Sequence, residues 1–302
     1  MESANTFIGL DIGGTQLKTV AFTADGISVA EKSESAEDDG TKRWLERARK
    51  LVQALLDRCT PPWRVGVAAP GLASADRRQI SFMPGRLAGL EGLDWQEWLG
   101  LDTPVTVFND THAALLGEIW LGAAKKTRDV VLLTLGTGVG GAAMVDGRVL
   151  RGHLGRAGHL GHVSLDPEGT LDIARTPGSL EDAIGECSLS KRSKGRFRTT
   201  RELVAAFRAG SSEASETWLR SVRALAAALA GFINVLDPEV IVIGGGIADA
   251  NEALFDPLQA RVDEVEWRPG GARVRLVKAA LGQNAGATGA AYGAKLAAEG
   301  KL

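Results

Sequence analysis

Phe-Ile-Gly-Leu-Asp-Ile-Gly-Gly-Thr, at residues 7–15 of this 302-residue chain, is an apolar run that ends in a glycine loop. A second run of this kind, Val-Val-Leu-Leu-Thr-Leu-Gly-Thr-Gly-Val-Gly-Gly, occupies residues 130–141. Each apolar run has the length of a buried strand. Glycines allow a tight turn and let backbone N–H groups approach phosphate oxygens. Two such loops predict that both halves of the chain bind a nucleotide phosphate tail.

The composition is typical of a globular protein with a sizeable core. Hydrophobic residues make up 44% of the chain and charged residues 24%, with a formal net charge of −2. The length favours two domains, and the near-neutral charge argues against a general nucleic-acid binder. The two cysteines, Cys59 and Cys187, exclude a disulfide framework and fit a cytoplasmic protein. Residues 1–6 lack signal-peptide features, and no uncharged apolar run is long enough to predict a membrane span.

Apolar periodicity predicts strands that alternate with helices, which indicates an α/β architecture. The predicted strands cover residues 7–11, 18–22, 64–68, 105–108, 130–135 and 240–243. The predicted helices cover residues 41–58, 111–121, 218–233 and 285–298. An Asp-Gly pair at residues 146–147 predicts a hairpin turn.

Two acidic residues follow predicted strands and carry candidate chemistry. Asp11 ends the first strand, where a carboxylate can hold Mg²⁺ through water. Asp110 follows Asn109 at a strand-to-helix boundary, where an Asx residue often caps the helix. Asp110 can also take the proton of an attacking hydroxyl in phosphoryl transfer. The phosphate donors predicted after Asp11 are Gly13, Gly14 and Thr15, although an ordinary hairpin turn explains the same residues.

The second loop superficially matches the glycine fingerprint of dinucleotide-binding proteins. That fingerprint requires a helix to begin at the glycines, whereas residues 142–145 continue as a strand. Neither glycine cluster is followed by the Gly-Lys-Ser/Thr of a Walker A loop. The predicted phosphate ligands in the second loop are Gly136, Thr137 and Gly138.

Two further segments allow more than one interpretation. Residues 155–162 contain two of the four histidines, His159 and His162. A surface loop with incidental histidines and a metal site are both conceivable, but no cysteine pair lies nearby, which argues against structural zinc. Residues 188–201 are strongly basic, and we favour a solvated loop or helix start over a partner-binding patch.

The order of these motifs resembles that of the ROK family of sugar kinases and repressors, in the actin-like ATPase superfamily. The resemblance runs from Ile8 to about Ala298. It implies that both glycine loops bind ATP phosphates, that Asp110 is the catalytic base, and that the turn ending at Gly71 lies beside the sugar. The glycines after the strand at residues 240–243 are implied to bind adenosine. They are Gly244, Gly245 and Gly246.

The chain departs from the family pattern at the implied sugar site. His159 stands where the family usually has a glutamate that contacts sugar hydroxyls, and His162 matches the family's histidine. The three zinc cysteines of the family are absent from the aligned residues 172–181, so the resemblance implies no zinc site. The implied sugar ligands are Gly71, Asn109, His159, His162 and Glu181. Glu181 can also be a carboxylate that simply favours a helix start.

An imidazole at position 159 offers hydroxyl groups a different pattern of donors and acceptors from a carboxylate. A site built for one arrangement of polar groups rejects others strongly. We therefore expect the acceptor to be a modified or epimeric sugar, or one with an added acceptor group, rather than plain glucose. The particular sugar and the hydroxyl attacked stay open.

The resemblance implies a two-domain α/β protein of the actin-like ATPase (ribonuclease H-like) fold with a cleft between the domains. The sugar/phosphate domain is expected at residues 1–121 with 288–302, and the nucleotide-binding domain at 122–287. The expected activity is in-line transfer from ATP, with Mg²⁺, to a sugar hydroxyl. We expect a cytoplasmic homodimer that binds neither nucleic acid nor membrane, and polyphosphate stays open as a donor. The alternatives are a catalytically impaired sugar-binding protein and a regulator, although family repressors carry a DNA-binding segment before the first loop.

Overall fold

Strands and helices alternate between residues 6 and 302, the part of the chain that the computed structural model describes. The strands are β1 (Thr6–Ile12), β2 (Gln16–Thr23), β3 (Ser28–Ser35), β4 (Trp63–Ala69), β5 (Leu72–Ala73), β6 (Ile80–Phe82), β7 (Val105–Asn109), β8 (Val130–Leu135), β9 (Val139–Val145), β10 (Arg148–Val149), β11 (Val240–Gly244) and β12 (Arg275–Lys278). The helices are α1 (Arg43–Leu56), α2 (Trp95–Leu99), α3 (Asp110–Trp120), α4 (Leu180–Ile184), α5 (Leu189–Arg192), α6 (Thr200–Arg208), α7 (Ser212–Leu236), α8 (Glu252–Val265) and α9 (Ala285–Ala298).

The chain divides into two units. Unit 1 comprises Met1–Lys126, Arg151–Ala157 and Ala280–Leu302, and unit 2 comprises Thr127–Leu150 and Gly158–Ala279. Unit 1 is thus larger than the first domain expected from the sequence. The additional segments of unit 1 are residues 122–126, 151–157 and 280–287.

The sheet of unit 1 has the strand order β3-β2-β1-β4-β7. Strands β1, β2 and β3 pair antiparallel, whereas β1, β4 and β7 run parallel. Because parallel strands end at the same edge of a sheet, the segments that follow β1, β4 and β7 meet there. This edge holds Asp11, the turn after Ala69, and the Asn109-Asp110 pair.

Helix α9 covers this sheet and packs unusually close to it. A methyl group built on Gly289 of α9 would overlap the carbonyl oxygen of Ala113 in α3. One built on Gly66 of β4 would overlap the carbonyl oxygen of Ala290. The glycines therefore let the backbones of α9, α3 and the sheet come into direct contact.

The sheet of unit 2 repeats this arrangement in the order β10-β9-β8-β11-β12. Strands β8, β9 and β10 pair antiparallel, and β8, β11 and β12 run parallel. The ends of β8 and β11 lie side by side, since Gly244 pairs with Thr134. The second glycine loop and residues 244–246 therefore lie at one edge of this sheet.

The 25-residue helix α7 is long and apolar enough to cross a membrane by length and composition, the one such helix among residues 6–302. Its residues Trp218, Leu225 and Leu229 are buried in the hydrophobic core of unit 2. Their spacing is that of one helix face turned toward a protein core.

The strands and helices predicted from apolar periodicity are present, with ends shifted by a few residues. Helix α9 has the predicted ends, and the Asp-Gly turn at Asp146 joins β9 to β10. The edge strand β3 and helix α8 were not predicted. The side chains of β3 are mostly polar and exposed, and Pro257 interrupts the pattern of α8, so neither gives a clear apolar periodicity.

Replacing Gly289 with alanine is expected to destabilise unit 1, because the added methyl group overlaps the Ala113 carbonyl oxygen. Overpacking typically costs about 1–3 kcal/mol of the free energy of unfolding. Gly231→Ala is the matched control, since Gly231 is an exposed residue of α7 with open space around the added group. The control should gain about 0.5–1 kcal/mol. Thermal unfolding of both variants checks this, and an unchanged Gly289→Ala midpoint would contradict the close packing.

Candidate active site

The predicted catalytic residues of unit 1 lie at the ends of its parallel strands. In the sheet register, Asp11 pairs with Ala68 and Ala69 pairs with Asn109. Asp110 is the first residue of α3. The strand order thus brings together residues that are far apart in the sequence.

Asn109 caps helix α3, as its position in the sequence suggested. Its Oδ1 accepts hydrogen bonds from the backbone N–H groups of Thr111 at 3.0 Å and His112 at 3.2 Å. Its Nδ2 donates to the carbonyl oxygen of Gly71 at 3.0 Å. The Asn109 amide therefore joins the start of α3 to the turn at Gly71, and its predicted contact with a sugar stays a prediction.

The turn at Gly71 depends on glycine. Its φ is +100°, a left-handed conformation that side chains rarely adopt. A Cβ atom at this position would also lie 2.5 Å from the carbonyl oxygen of Phe82. Any other residue would therefore shift the carbonyl group that Asn109 binds.

The carboxyl groups of Asp11 and Asp110 lie close enough to repel each other. Burial raises the pKa of Asp11 to about 7; repulsion from Asp110 adds to the shift and Lys18 opposes it. Burial also raises the pKa of Asp110, against hydrogen bonds from the Thr111 N–H group and the Asn109 side chain. A carboxylate with a raised pKa accepts protons more readily near neutral pH.

A cavity of about 350 Å³ opens beside Asp11. Its lining residues are Asp11, Gly13, Thr15, Gln16, Lys18 and Gln283. Lys18 pairs with Asp11 across β1 and β2, and its ammonium group donates to Gln283 Oε1 at 2.9 Å. The carboxylate and hydroxyl oxygens of this cavity are the kind of ligands that Mg²⁺ prefers, so Asp11 fits its predicted role chemically.

The second glycine loop is held by residues far along the chain of unit 2. The Val139 N–H group donates to Glu181 Oε2 at 2.9 Å. The N–H groups of Glu186 and Cys187 donate to the carbonyl oxygens of Gly136 and Thr137 at 2.9 and 2.8 Å. Glu181 therefore supports the loop directly, a role that the sequence did not predict for it.

Residues 244–246 reach the same edge of the unit 2 sheet through a glycine turn. Gly245 has a φ of +85°, and a Cβ atom there would overlap the carbonyl oxygen of Leu135. The end of β11 can therefore pack this closely against the end of β8 only with glycine at position 245. The two glycine segments predicted to bind the nucleotide are neighbours in unit 2.

The two histidines singled out from the sequence lie at one turn of 3-10 helix (Leu160–His162), with His159 just before it and His162 as its last residue. His162 Nδ1 forms a 2.7 Å hydrogen bond with Asp172 Oδ2, and the Asp172 side chain is only 1% exposed. Burial tends to raise the pKa of Asp172, but hydrogen bonds from His162, the Thr176 N–H group and Ser179 outweigh it and lower the pKa. Asp172 therefore stays ionised and orients the His162 ring.

His162, Asp172 and Glu181 each place one possible ligand atom within 4.8 Å of the others. Such a group could hold a metal ion. In the structure, His162 and Asp172 are joined directly, so an ion bound through these same atoms would have to replace their hydrogen bond. The expectation that the protein has no zinc site stays a prediction.

Much of the basic segment at residues 188–201 is tied into unit 2. The Arg192 guanidinium donates to Ser221 Oγ at 2.7 Å and to the Gly185 carbonyl oxygen at 2.6 Å. Thr199 and Glu202 form a capping box at the start of α6. These contacts favour the interpretation of this segment as loop and helix start.

Three residues near these sites were missed by sequence reasoning. Asp172 lies in the stretch aligned with the missing cysteines, where it gave no signal of its own. Glu118 is fully buried and accepts hydrogen bonds from the N–H groups of Ala123, Ala280 and Leu281. The sequence did offer one signal for Glu118, because it is a charged residue within an otherwise apolar helix. The third is Arg86, whose guanidinium lies against Gly14.

Two five-stranded sheets of the same mixed order, each with a glycine loop after its first long strand, define the actin-like ATPase fold. The ROK family model matches residues 7–297. The chain therefore belongs to the ROK family.

Individual relatives agree with this membership over nearly the full chain. A glucokinase from Thermotoga maritima is 29% identical over 94% of this chain and 95% of its own. The crystal structure of a ROK hexokinase from Thermus thermophilus has a TM-score of 0.84 at 30% identity, covering 98% of this chain and 99% of that one. A ROK family glucokinase from Streptomyces griseus, in complex with glucose and AMPPNP, has a TM-score of 0.75 at 26% identity, covering 95% and 98%.

Replacing Asp110 with asparagine is expected to lower the pKa of Asp11 from about 7, because the repelling charge is removed. Carboxyl ¹³C NMR titration of aspartate-labelled protein measures this pKa. Asp25→Asn, in an exposed turn of the same unit, is the control and should leave it unchanged. An Asp11 pKa near its ordinary value of 3.8 in the wild type would contradict the described burial.

The same shift has a consequence for stability. Asp11 binds its proton more tightly in the folded than in the unfolded chain, so its contribution to the free energy of unfolding falls as the pH rises from about 4 to about 7. Asp11→Asn should remove this component of the pH dependence. Denaturant unfolding at several pH values checks the sign.

Proposed function

We propose that this sugar kinase transfers the γ-phosphoryl group of ATP to a hydroxyl group of a hexose or modified hexose, with Asp110 as the general base. The glucokinase and hexokinase relatives support a sugar acceptor, and the AMPPNP complex of one of them supports ATP as donor. The observation that carries the proposal is the partly buried Asp110 carboxyl, at a strand edge beside Asp11, with its pKa raised by burial.

The proposed reaction is a direct displacement at phosphorus. The sugar hydroxyl gives its proton to the Asp110 carboxylate as its oxygen forms a bond to the γ-phosphorus. The bond from that phosphorus to the bridging oxygen breaks, and ADP leaves with the electron pair. The Thr111 N–H group, at 2.8 Å from Asp110 Oδ1, holds the carboxylate in place during this transfer.

On the donor side, the phosphate-binding segment that we propose in unit 1 is Gly13, Gly14 and Thr15, with the Gly14 N–H group and the Thr15 hydroxyl as donors. The Gly13 N–H group donates to the Gln16 carbonyl oxygen at 2.9 Å and so closes the loop. The cavity beside them supports this assignment. Asp11 would hold Mg²⁺ through water. Bound Mg²⁺ offsets the negative charge of the phosphates.

In unit 2 we propose that the loop residues Gly136, Thr137 and Gly138 bind phosphate and that residues 244–246 bind adenosine. Their common position at the edge of the β8–β11 pair supports this proposal. Glu181 would keep the loop open to phosphate by accepting the Val139 N–H group. Glu181 would then have two roles, support of the loop and binding of the sugar.

On the acceptor side we propose sugar ligands in each unit separately. They are the Gly71 turn and Asn109 in unit 1, and His159, His162 and Glu181 in unit 2. Asp172 acts as a positioning residue, because its bond to Nδ1 directs the opposite nitrogen of His162 toward a ligand. The imidazole at position 159 favours a sugar that differs from plain glucose in its hydroxyl pattern or carries an added acceptor group.

Asp110→Asn should lower kcat by about 10²–10⁴-fold, the usual contribution of general-base catalysis, with folding intact. Coupled measurement of ADP release gives kcat, and circular dichroism checks the fold. Asp25→Asn is the matched control and should keep full activity, because this carboxylate is exposed in the β2–β3 turn. Full activity of Asp110→Asn would refute its role as the base.

Among hexoses, amino sugars and N-acetylated sugars, we expect the highest kcat/KM for a sugar other than glucose. His159→Glu should shift this preference toward glucose, since the carboxylate accepts two hydroxyl hydrogen bonds. ADP release over the sugar panel measures both proteins. Glucose as the best wild-type substrate would contradict the role of His159, and binding without turnover on every sugar would favour a catalytically impaired protein.

A further inference from the structure

Arg86 lies directly on the first glycine loop. A Cβ atom built on Gly14 would overlap the Nη2 atom of Arg86, so the guanidinium occupies the space where other residues carry a side chain. The Arg86 side chain is 53% exposed, so part of its guanidinium stays accessible to a ligand. Both residues belong to unit 1.

The turn that presents Arg86 is held in an uncommon conformation. Leu87 has a φ of +48°, which is rare for a residue with a side chain, and it is only 1% exposed. Its N–H group donates to Asp38 Oδ1 at 3.0 Å, and Asp38 Oδ2 lies 3.6 Å from Arg86 Nε. Asp38 therefore orients both the backbone of the turn and the guanidinium. Strained backbone of this kind persists where the surroundings enforce it, often at functional sites.

Arg86 also acts electrostatically on Asp110. Its positive charge works to lower the pKa of the Asp110 carboxyl, against the larger effect of burial. The guanidinium thus contacts the loop proposed to bind phosphate and lies within electrostatic range of the residue proposed as the base. A phosphoryl group that moves from donor to acceptor must pass between two such sites.

A purely structural role explains this arrangement poorly. The Arg86–Asp38 ion pair is long at 3.6 Å and its arginine is half exposed, and such pairs contribute little to stability. Arg78 pairs with Asp94 at 2.5 Å elsewhere in unit 1, and it offers a direct comparison. Arg86 differs from it in lying against a glycine loop and near a base.

We propose that Arg86 is a catalytic residue that binds the oxygens of the transferring phosphoryl group, an inference that rests on the proposed kinase function. The planar guanidinium carries donors spaced to bind two phosphate oxygens at once. Its charge offsets the negative charge on the phosphoryl group in the transition state. A side chain at position 14 would displace the guanidinium from this position, so glycine there fits the proposed role of Arg86.

Arg86→Ala should lower kcat at least about 10²-fold, as loss of a transition-state donor does, while KM for the sugar stays within about twofold. Arg86→Lys should recover part of the loss, because it keeps the charge but not the paired donors. Arg78→Ala is the matched control and should keep wild-type kcat. Unchanged kcat in Arg86→Ala, or a higher KM for the sugar at unchanged kcat, would overturn the proposal.

A binding measurement tests Arg86 without turnover. ADP with Mg²⁺ and aluminium fluoride mimics the transferring phosphoryl group, and calorimetry measures its affinity. Arg86→Ala should weaken this complex at least tenfold relative to the wild type and leave the affinity for ADP with Mg²⁺ unchanged. Equal weakening of both complexes, or of neither, would overturn the proposal.

The two proposals fail in different ways. A wild-type protein that phosphorylates no sugar contradicts the proposed function, whatever the Arg86 variant does. A wild-type protein that phosphorylates a sugar, with the Arg86→Ala variant equally active, contradicts only the role of Arg86. Thermal unfolding of the variant shows whether a lost activity reflects a lost fold.

Discussion

The burial of two carboxyl groups, those of Asp11 and Asp110, at one edge of a sheet is the constraint on which the candidate site of unit 1 depends. The parallel register of its strands brings the two groups to one edge, and burial makes their charges costly. Around them, Lys18, Asn109 and Arg86 each favour a negative charge. The site combines a base kept above its usual pKa with cations that suit phosphate, and these are the two requirements of phosphoryl transfer.

In unit 2, the carboxylates of Glu181 and Asp172 accept hydrogen bonds from the protein itself. Glu181 holds the Val139 N–H group, and Asp172 holds His162 together with the backbone of its own loop. These bonds set the shape of the glycine loop and the direction of the His162 ring. Mutations of Glu181 therefore change the geometry of the loop as well as the binding of any ligand. Loop geometry and ligand binding have to be measured separately in such variants.

The sequence predicted the strands, the main helices and both glycine loops because local apolar periodicity and glycines carry that information. The positions of Asp11 and Asn109 at strand ends followed from the same patterns. The contacts of Glu118, Asp38 and Arg86 could not be predicted in this way. Glu118 binds residues more than 160 positions along the chain, and Asp38 binds a turn 49 positions away. Such contacts depend on topology, for which a single sequence gives no local signal.

The close packing of helix α9 on β1 has a consequence for synthesis on the ribosome. Almost the whole chain separates the two elements, and the glycines of the sheet make room for α9 at this short distance. Every residue of unit 2 is made before α9 is. When the last residue of unit 2 has been made, the sheet of unit 1 therefore still lacks the helix α9 that covers one of its faces. Domains generally fold as units during translation, so unit 2, although later in sequence, is the first that can finish folding.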